Sequence, residues 1–174
     1  MAKLRLQKII ADAGLCSRRK AEILLTEKRV IINGLTAKLG DKADPKLDRI
    51  FVDNLLLTNQ CEHKVILLNK PIGVISTCID THGRVTVLEL LPRSLRQGLH
   101  PIGRLDLNSR GAILLSNHGE LTLRLTHPRY SHTKTYRVWV EGITSSHTLK
   151  EWSNGVMIDN MMTMKASVRL LDIA

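Results

Sequence analysis

Asp106 is the residue whose setting most invites chemistry. It lies in HPIGRLDLNSRGAILLSNHGE (His100 to Glu120), between Arg104 and Arg110 and just ahead of the apolar run Ala112-Ile113-Leu114-Leu115. A carboxylate so placed either pairs with a guanidinium and holds a loop, or stands ready to react. In the second case a nearby guanidinium favours the ionised form, lowering the pKa by roughly 1–3 units. The local sequence leaves both open. Other chemistries lack their parts: the sequence contains neither the HxE with PCxxC of a zinc deaminase nor a carboxylate cluster for two metals. The seven histidines are scattered and read as surface or hydrogen-bonding residues. Cys16, Cys61 and Cys78 form no CxxC pair, so reduced thiols are expected rather than a zinc site or a disulfide framework.

A second signal is charge. The 174 residues carry a net charge of +10, which points to a polyanionic partner. Residues 1–60 hold 12 basic and 7 acidic residues, and residues 61–174 hold 14 and 9, so the first stretch is the more densely charged. Its peak is Arg18-Arg19-Lys20, directly after Ser17, a good helix N-cap. Cations there oppose the helix dipole, and a bound phosphate resolves that conflict. The alternative is a solvated basic face. With only five aromatic residues (Trp 2, Tyr 2, Phe 1), the core must be Leu, Ile and Val, and each aromatic carries weight. Tyr136 alternates with Val138 and Val140, and the pattern alone reads it as a core residue as readily as a functional one.

The elements that would position these residues fall into two groups. Leu4 to Ala13 has helical spacing closed by Gly14, and Ser17 opens a second helix with Ala21, Leu24 and Leu25 inward. Val30 to Ile32, the turn pair Asn33-Gly34 and a strand around Ile50 and Val52 complete a small αβ unit, residues 1–60. Residues 61–174 look richer in strand. Strands are expected at His63 to Leu68, Ala112 to Leu115, Lys134 to Val140, Val156 to Ile158 and Ala166 to Leu171. Helices are expected at Thr86 to Leu91, Glu120 to Leu125 and from Ser146 to Asn154. The class is α+β: a small N-terminal domain followed by a mixed or antiparallel sheet with flanking helices. No apolar run approaches the roughly 18 residues of a membrane span, and a soluble, cytoplasmic chain without membrane contact is expected.

The order of residues carries a resemblance. Arg5 with Gln7-Lys8, Ala13-Gly14, Ser17-Arg18-Arg19-Lys20-Ala21 and Arg29-Val30 leading to Asn33-Gly34 resemble the RNA-binding domain named after ribosomal protein S-four. The resemblance implies RNA contacts from Arg5, Lys8, Arg18, Arg19, Lys20, Lys28 and Arg29. Phosphate contacts of this kind give salt-sensitive affinity of little sequence specificity. The attached unit decides function. It lacks the HIGH and KMSKS signatures of a tRNA synthetase. Instead GRLD, NKPIGVIS (Asn69 to Ser76), GELTLRLTHPRY (Gly119 to Tyr130) and KTYRVWV (Lys134 to Val140) together resemble the pseudouridine synthases of the RsuA/RluB group. RLTHPRY is more similar to the large-subunit, RluB-type branch.

That resemblance implies isomerisation of a specific uridine in ribosomal RNA, with Asp106 as the catalytic carboxylate, ionised in a partly closed pocket. Arg104 would sit beside the flipped nucleotide and Tyr136 would stack on the uracil. Lys70 with Pro71 would support the pocket, and Lys70, Arg129 and Lys134 would touch RNA. The partners implied are ribosomal RNA or a ribosomal precursor particle, bound by a monomer, and neither metal nor cofactor is expected. The family's arginine-rich segment resembling GRNRQVRRM is absent from the sequence, which ends in VRLLDIA. The expectation is therefore a synthase domain incomplete at its C-terminus, with an open sheet edge. A second class stays open on that ground: an RNA-binding or ribosome-assembly protein that carries an incomplete synthase domain without catalysis.

Overall fold

The computed structural model describes residues 3–58 and 62–171, so Cys61 lies outside the described residues. The chain forms two compact units, residues 1–133 and 134–174. The first opens with β1 (Leu4–Arg5) and α1 (Leu6–Asp12). The expected helix starts late because Leu4 and Arg5 pair with Ala43 and Lys42. Gly14 ends it with φ 77°, where an added Cβ would be strained. α2 (Arg18–Thr26) begins as expected: the Lys20 N–H donates to Ser17 Oγ at 3.2 Å, and Ala21, Leu24 and Leu25 form the buried face.

Four short strands follow: β2 (Val30–Ile32), β3 (Leu35–Thr36), β4 (Lys42–Ala43) and β5 (Ile50–Val52), with β6 (Leu55–Leu56) after them. Asn33 and Gly34 turn β2 into β3 with φ of 48° and 86°, the paired positive values of a tight hairpin turn. One sheet runs β3-β2-β5-β6, all antiparallel, and β1 pairs with β4. Leu6, Ile9 and Ile10 of α1, Leu24 and Leu25 of α2, and Val30, Ile50 and Val52 of the sheet close one core. The densest charge thus sits at the exposed start of a helix whose other face is locked into this core.

The remainder of this unit is built on β7 (Val65–Lys70), β8 (His100–Ile102) and β9 (Gly111–Ser116), ordered β7-β9-β8 and antiparallel throughout. Lys70 lies opposite Gly111, and Ile102 opposite Leu114. β8 is short and contains Pro101, which an edge strand tolerates because one side needs no ladder donor. Val74, Val87, Leu91, Leu99 and Leu115 form its core. α3 (Gly119–Thr126) follows and stops before Pro128, as expected. The helix expected over Thr86 to Leu91 does not form. Thr86 bridges Ile75, and the Glu89 carboxylate accepts both the Thr86 N–H and hydroxyl. Successive short turns then lead to Pro92.

The second unit contains α4 (Ser146–Asn154) and a hairpin of β10 (Met157–Ile158) with β11 (Met161–Met162). Ser145, one residue before the expected cap, accepts the Thr148 N–H at 3.1 Å. Lys134 to Val140 and Ala166 to Leu171 are not strands, against expectation. Alternation assigns faces, but a strand also needs a partner ladder, and among the described residues neither segment has one. Tyr136 is accordingly 76% exposed and is not a core residue.

Candidate active site

Asp106 lies on the loop that joins β8 to β9. Its carbonyl accepts the Ser109 N–H at 3.0 Å, closing a turn over Leu107 and Asn108 in which Asp takes its favoured first position. Among the described residues no hydrogen bond or ion pair engages its carboxylate, and neither Arg104 nor Arg110 pairs with it. The loop-holding ion pair is therefore not what the structure builds. Asp106 is exposed, as are Leu107 and Asn108 beside it, rather than partly enclosed as expected.

The backbone on either side of Asp106 is fixed. Ser76 Oγ donates to the Leu105 carbonyl at 2.8 Å and accepts the Leu105 N–H at 3.1 Å. The Gly73 N–H donates to the Leu107 carbonyl at 2.9 Å. The loop that supplies both contacts leaves the end of β7 and is itself held by Lys70, whose Nζ donates to the Pro71 carbonyl at 3.0 Å and to the Val74 carbonyl at 2.7 Å. Lys70 is 0% exposed. Alternation in β7 places it on the face of Ile66 and Leu68, inside the core, where loop carbonyls must satisfy it. This supports the expected role in the KPxG turn and corrects the expectation that Lys70 touches RNA.

Beyond Ser76 the chain makes an excursion, residues 77–84, closed at its base by hydrogen bonds between Ile75 and both Val85 and Val87. Asp80 organises it. Its carboxylate accepts from the Arg84 guanidinium at 2.8 Å and from the Arg84 and His82 N–H groups at 2.8 and 3.0 Å. These donors, the guanidinium above all, hold the Asp80 carboxyl well below the usual carboxylate range. The sequence alone carries no signal for a role of Asp80, and Ser76 stands in it only as the last residue of NKPIGVIS. Ser76 meets Leu105 across 29 residues, a pairing that no local spacing announces.

Among the expected RNA contacts, Arg5, Arg18, Arg19, Lys20 and Lys28 are exposed, three of them clustered at the start of α2. Lys8 is ion-paired to Asp12 one helical turn away. Arg29 is exposed and paired with two acids. Its guanidinium donates to both carboxylate oxygens of Asp53 at 2.6 and 2.7 Å and to Glu27 at 2.9 Å, which raises its own pKa. These pairs tie the end of α2 to the β5–β6 turn. Arg129 is exposed and folds over Tyr130, 4.8 Å from the ring centre, with its Nη2 donating to the tyrosine hydroxyl. Lys134 and Tyr136 belong to the second unit, where both are exposed.

Residues 64–169 match the family described as RNA pseudouridylate synthase, and residues 4–48 match the S4 domain. The chain belongs to the RNA pseudouridylate synthase family. Over 170 residues it is 40% identical to the ribosomal large subunit pseudouridine synthase B of Bacillus subtilis (strain 168), covering 97% of this chain and 68% of that protein. It is 35% identical to the dual-specificity RNA pseudouridine synthase RluF of Escherichia coli (strain K12), covering 57% of it. A crystal structure of a pseudouridylate synthase superposes with a TM-score of 0.59 at 29% identity, covering 97% of this chain and 73% of that one. This member of the synthase family therefore carries an S4 domain ahead of its synthase segment, an α+β arrangement of the RsuA/RluB type. Among the described residues no group of His, Cys, Asp and Glu could hold a metal ion, and no helix is long and apolar enough to cross a membrane.

Proposed function

We propose that this chain converts a specific uridine of ribosomal RNA, in the large subunit, to pseudouridine, with Asp106 as the catalytic carboxylate. The observation that carries the reading is the contrast at the GRLD loop: the main chain around Asp106 is held on both sides, while its carboxylate has no partner among the described residues. A structural ion pair would use that side chain.

The reaction breaks the bond between uracil N1 and the sugar C1′, turns the base, joins C5 to C1′, and exchanges the C5 proton for one on N1. Bond breaking places positive character on C1′, as in glycoside chemistry. The Asp106 carboxylate either attacks C1′ or draws off the neighbouring sugar proton. Arg104, two residues away and exposed, faces the extruded nucleotide. Tyr136 offers a ring for the uracil to stack on, worth about 1–3 kcal/mol per base, and its hydroxyl assists loss of the C5 proton. Residues 1–60 act as the RNA-binding domain and 61–174 as the synthase domain, in a cytoplasmic monomer. The two matched segments support that division.

The test uses ribosomal RNA carrying tritium at uracil C5. Release of label by the parent chain, and none by Asp106→Asn with RNA binding unchanged, is the expected result. Release by the variant at the parent's rate would remove Asp106 from the reaction, and no release by either would remove the activity.

A further inference from the structure

We infer that Ser76 is a positioning residue for Asp106: one buried hydroxyl fixes both polar groups of the residue before it, and so sets where the carboxylate stands. The inference rests on the catalytic reading of Asp106 and adds a residue outside the GRLD segment.

An exposed aspartate on a turn has a mobile main chain unless neighbouring groups restrain it, and misplacing a reacting group by about 1 Å costs about a hundredfold in rate. Here the restraint is reciprocal. The Ser76 hydroxyl donates to the Leu105 carbonyl and accepts the Leu105 N–H, so one side chain satisfies both main-chain groups of a residue that would otherwise need a strand partner. Gly73 then holds Leu107 on the far side through its own N–H. Asp106 is bracketed by contacts from a single loop.

That loop is itself stiff. Lys70 clips its first half through the Pro71 and Val74 carbonyls. Its second half enters the core with Val74, 6% exposed, and Ile75, 8% exposed, and Ser76 follows at 7% exposure. The Ile75 N–H and carbonyl are paired to Val85 and Val87. Ser76 therefore has no freedom to follow a moving Leu105 and acts as a fixed post. A serine suits the post because its hydroxyl is at once donor and acceptor in a small volume. Alanine removes both bonds and leaves the Leu105 pair without its partner. Threonine keeps the hydroxyl and adds one methyl.

Three variants in the full chain test this: Ser76→Ala, Ser76→Thr and Asp106→Asn, with two readouts. In tritium release, Ser76→Ala is expected to lower kcat by about a hundredfold with KM within about twofold of the parent, the pattern of a contact that matters only as the reaction proceeds. Ser76→Thr is expected to restore most of that loss. In amide hydrogen exchange, the Leu105 N–H loses protection in Ser76→Ala and keeps it in Ser76→Thr, while amides of β7 and β9 stay as protected as in the parent. A Ser76→Ala chain with parental kcat, or with Leu105 still protected, overturns the positioning role. A Ser76→Ala chain that also loses protection in β7 and β9 has lost its fold; Ser76→Thr then decides, since failure of that hydroxyl to support activity and Leu105 protection overturns the role as well. Parental release by Asp106→Asn overturns the catalytic reading instead, and the exchange data then still report whether the post holds Leu105.

Discussion

Carboxylates in this chain do opposite work according to their donors. Asp106 meets none among the described residues and is left available, whereas Asp80 collects a guanidinium and two main-chain N–H groups with its side chain 7% exposed. The Asp80 carboxyl is held below its ordinary value, near 3.9 in an unfolded chain. The folded state therefore releases its proton more readily than the unfolded one. The stabilisation is present above about pH 4 and is lost as the pH falls through the folded value. His82 Nδ1 lies 3.9 Å from the same carboxylate. Thermal unfolding of the parent and Asp80→Asn between pH 7 and pH 3 should show the parent ahead at neutral pH and the gap narrowing below about pH 4. A gap that stays constant across that range would assign the difference to packing and remove charge from the account.

At the level of elements, Arg29 shows how a cation in a basic stretch can be structural. It joins Glu27 at the end of α2 to Asp53 at the β5–β6 turn. Arg29→Met is expected to lower the thermal midpoint and leave RNA affinity unchanged, read by a melt and a filter-binding titration on the same protein; weakened binding with an unchanged melt would return Arg29 to the RNA face. The sequence shows why this was hard to foresee. Elements built from local signals were legible: Ser17 caps α2, Asn33-Gly34 makes its turn, Ala112 to Leu115 lies inside β9, and Pro128 follows α3. What depended on distant partners was not. β8 exists because β9 pairs with it, Arg29 is neutralised by a residue 24 positions away, and Lys134 to Val140 alternates like a strand without a ladder. The candidate site followed the same division. The local segment drew attention to Asp106 but left ion pair and reactive carboxylate equally open, and the buried role of Lys70 emerged only from its register in β7, opposite Gly111.

For the whole molecule, the net charge of +10 and the exposed cations of the first unit make salt the natural variable. Each phosphate neutralised releases counterions, so the logarithm of affinity falls with the logarithm of salt by about 0.9 per contact on duplex and about 0.7 on single strands. Lys8 and Arg29 already face carboxylates, whereas Arg18, Arg19 and Lys20 form a compact group at the start of α2 with no ion pair among the described residues. Free N–H groups of the helix start add to their pull on a phosphate. Replacing the three with alanine should weaken ribosomal RNA binding and lower the magnitude of the salt slope by about 2–3, while Arg29→Met leaves the slope at the parental value. The replaced side chains are exposed and oppose the helix dipole, so the melt should hold or rise. Titrations of both variants and the parent at several salt concentrations read this directly. An unchanged slope in the triple variant would move the main RNA contact away from α2 and onto the cations of the synthase segment, Arg104 and Arg129 first among them.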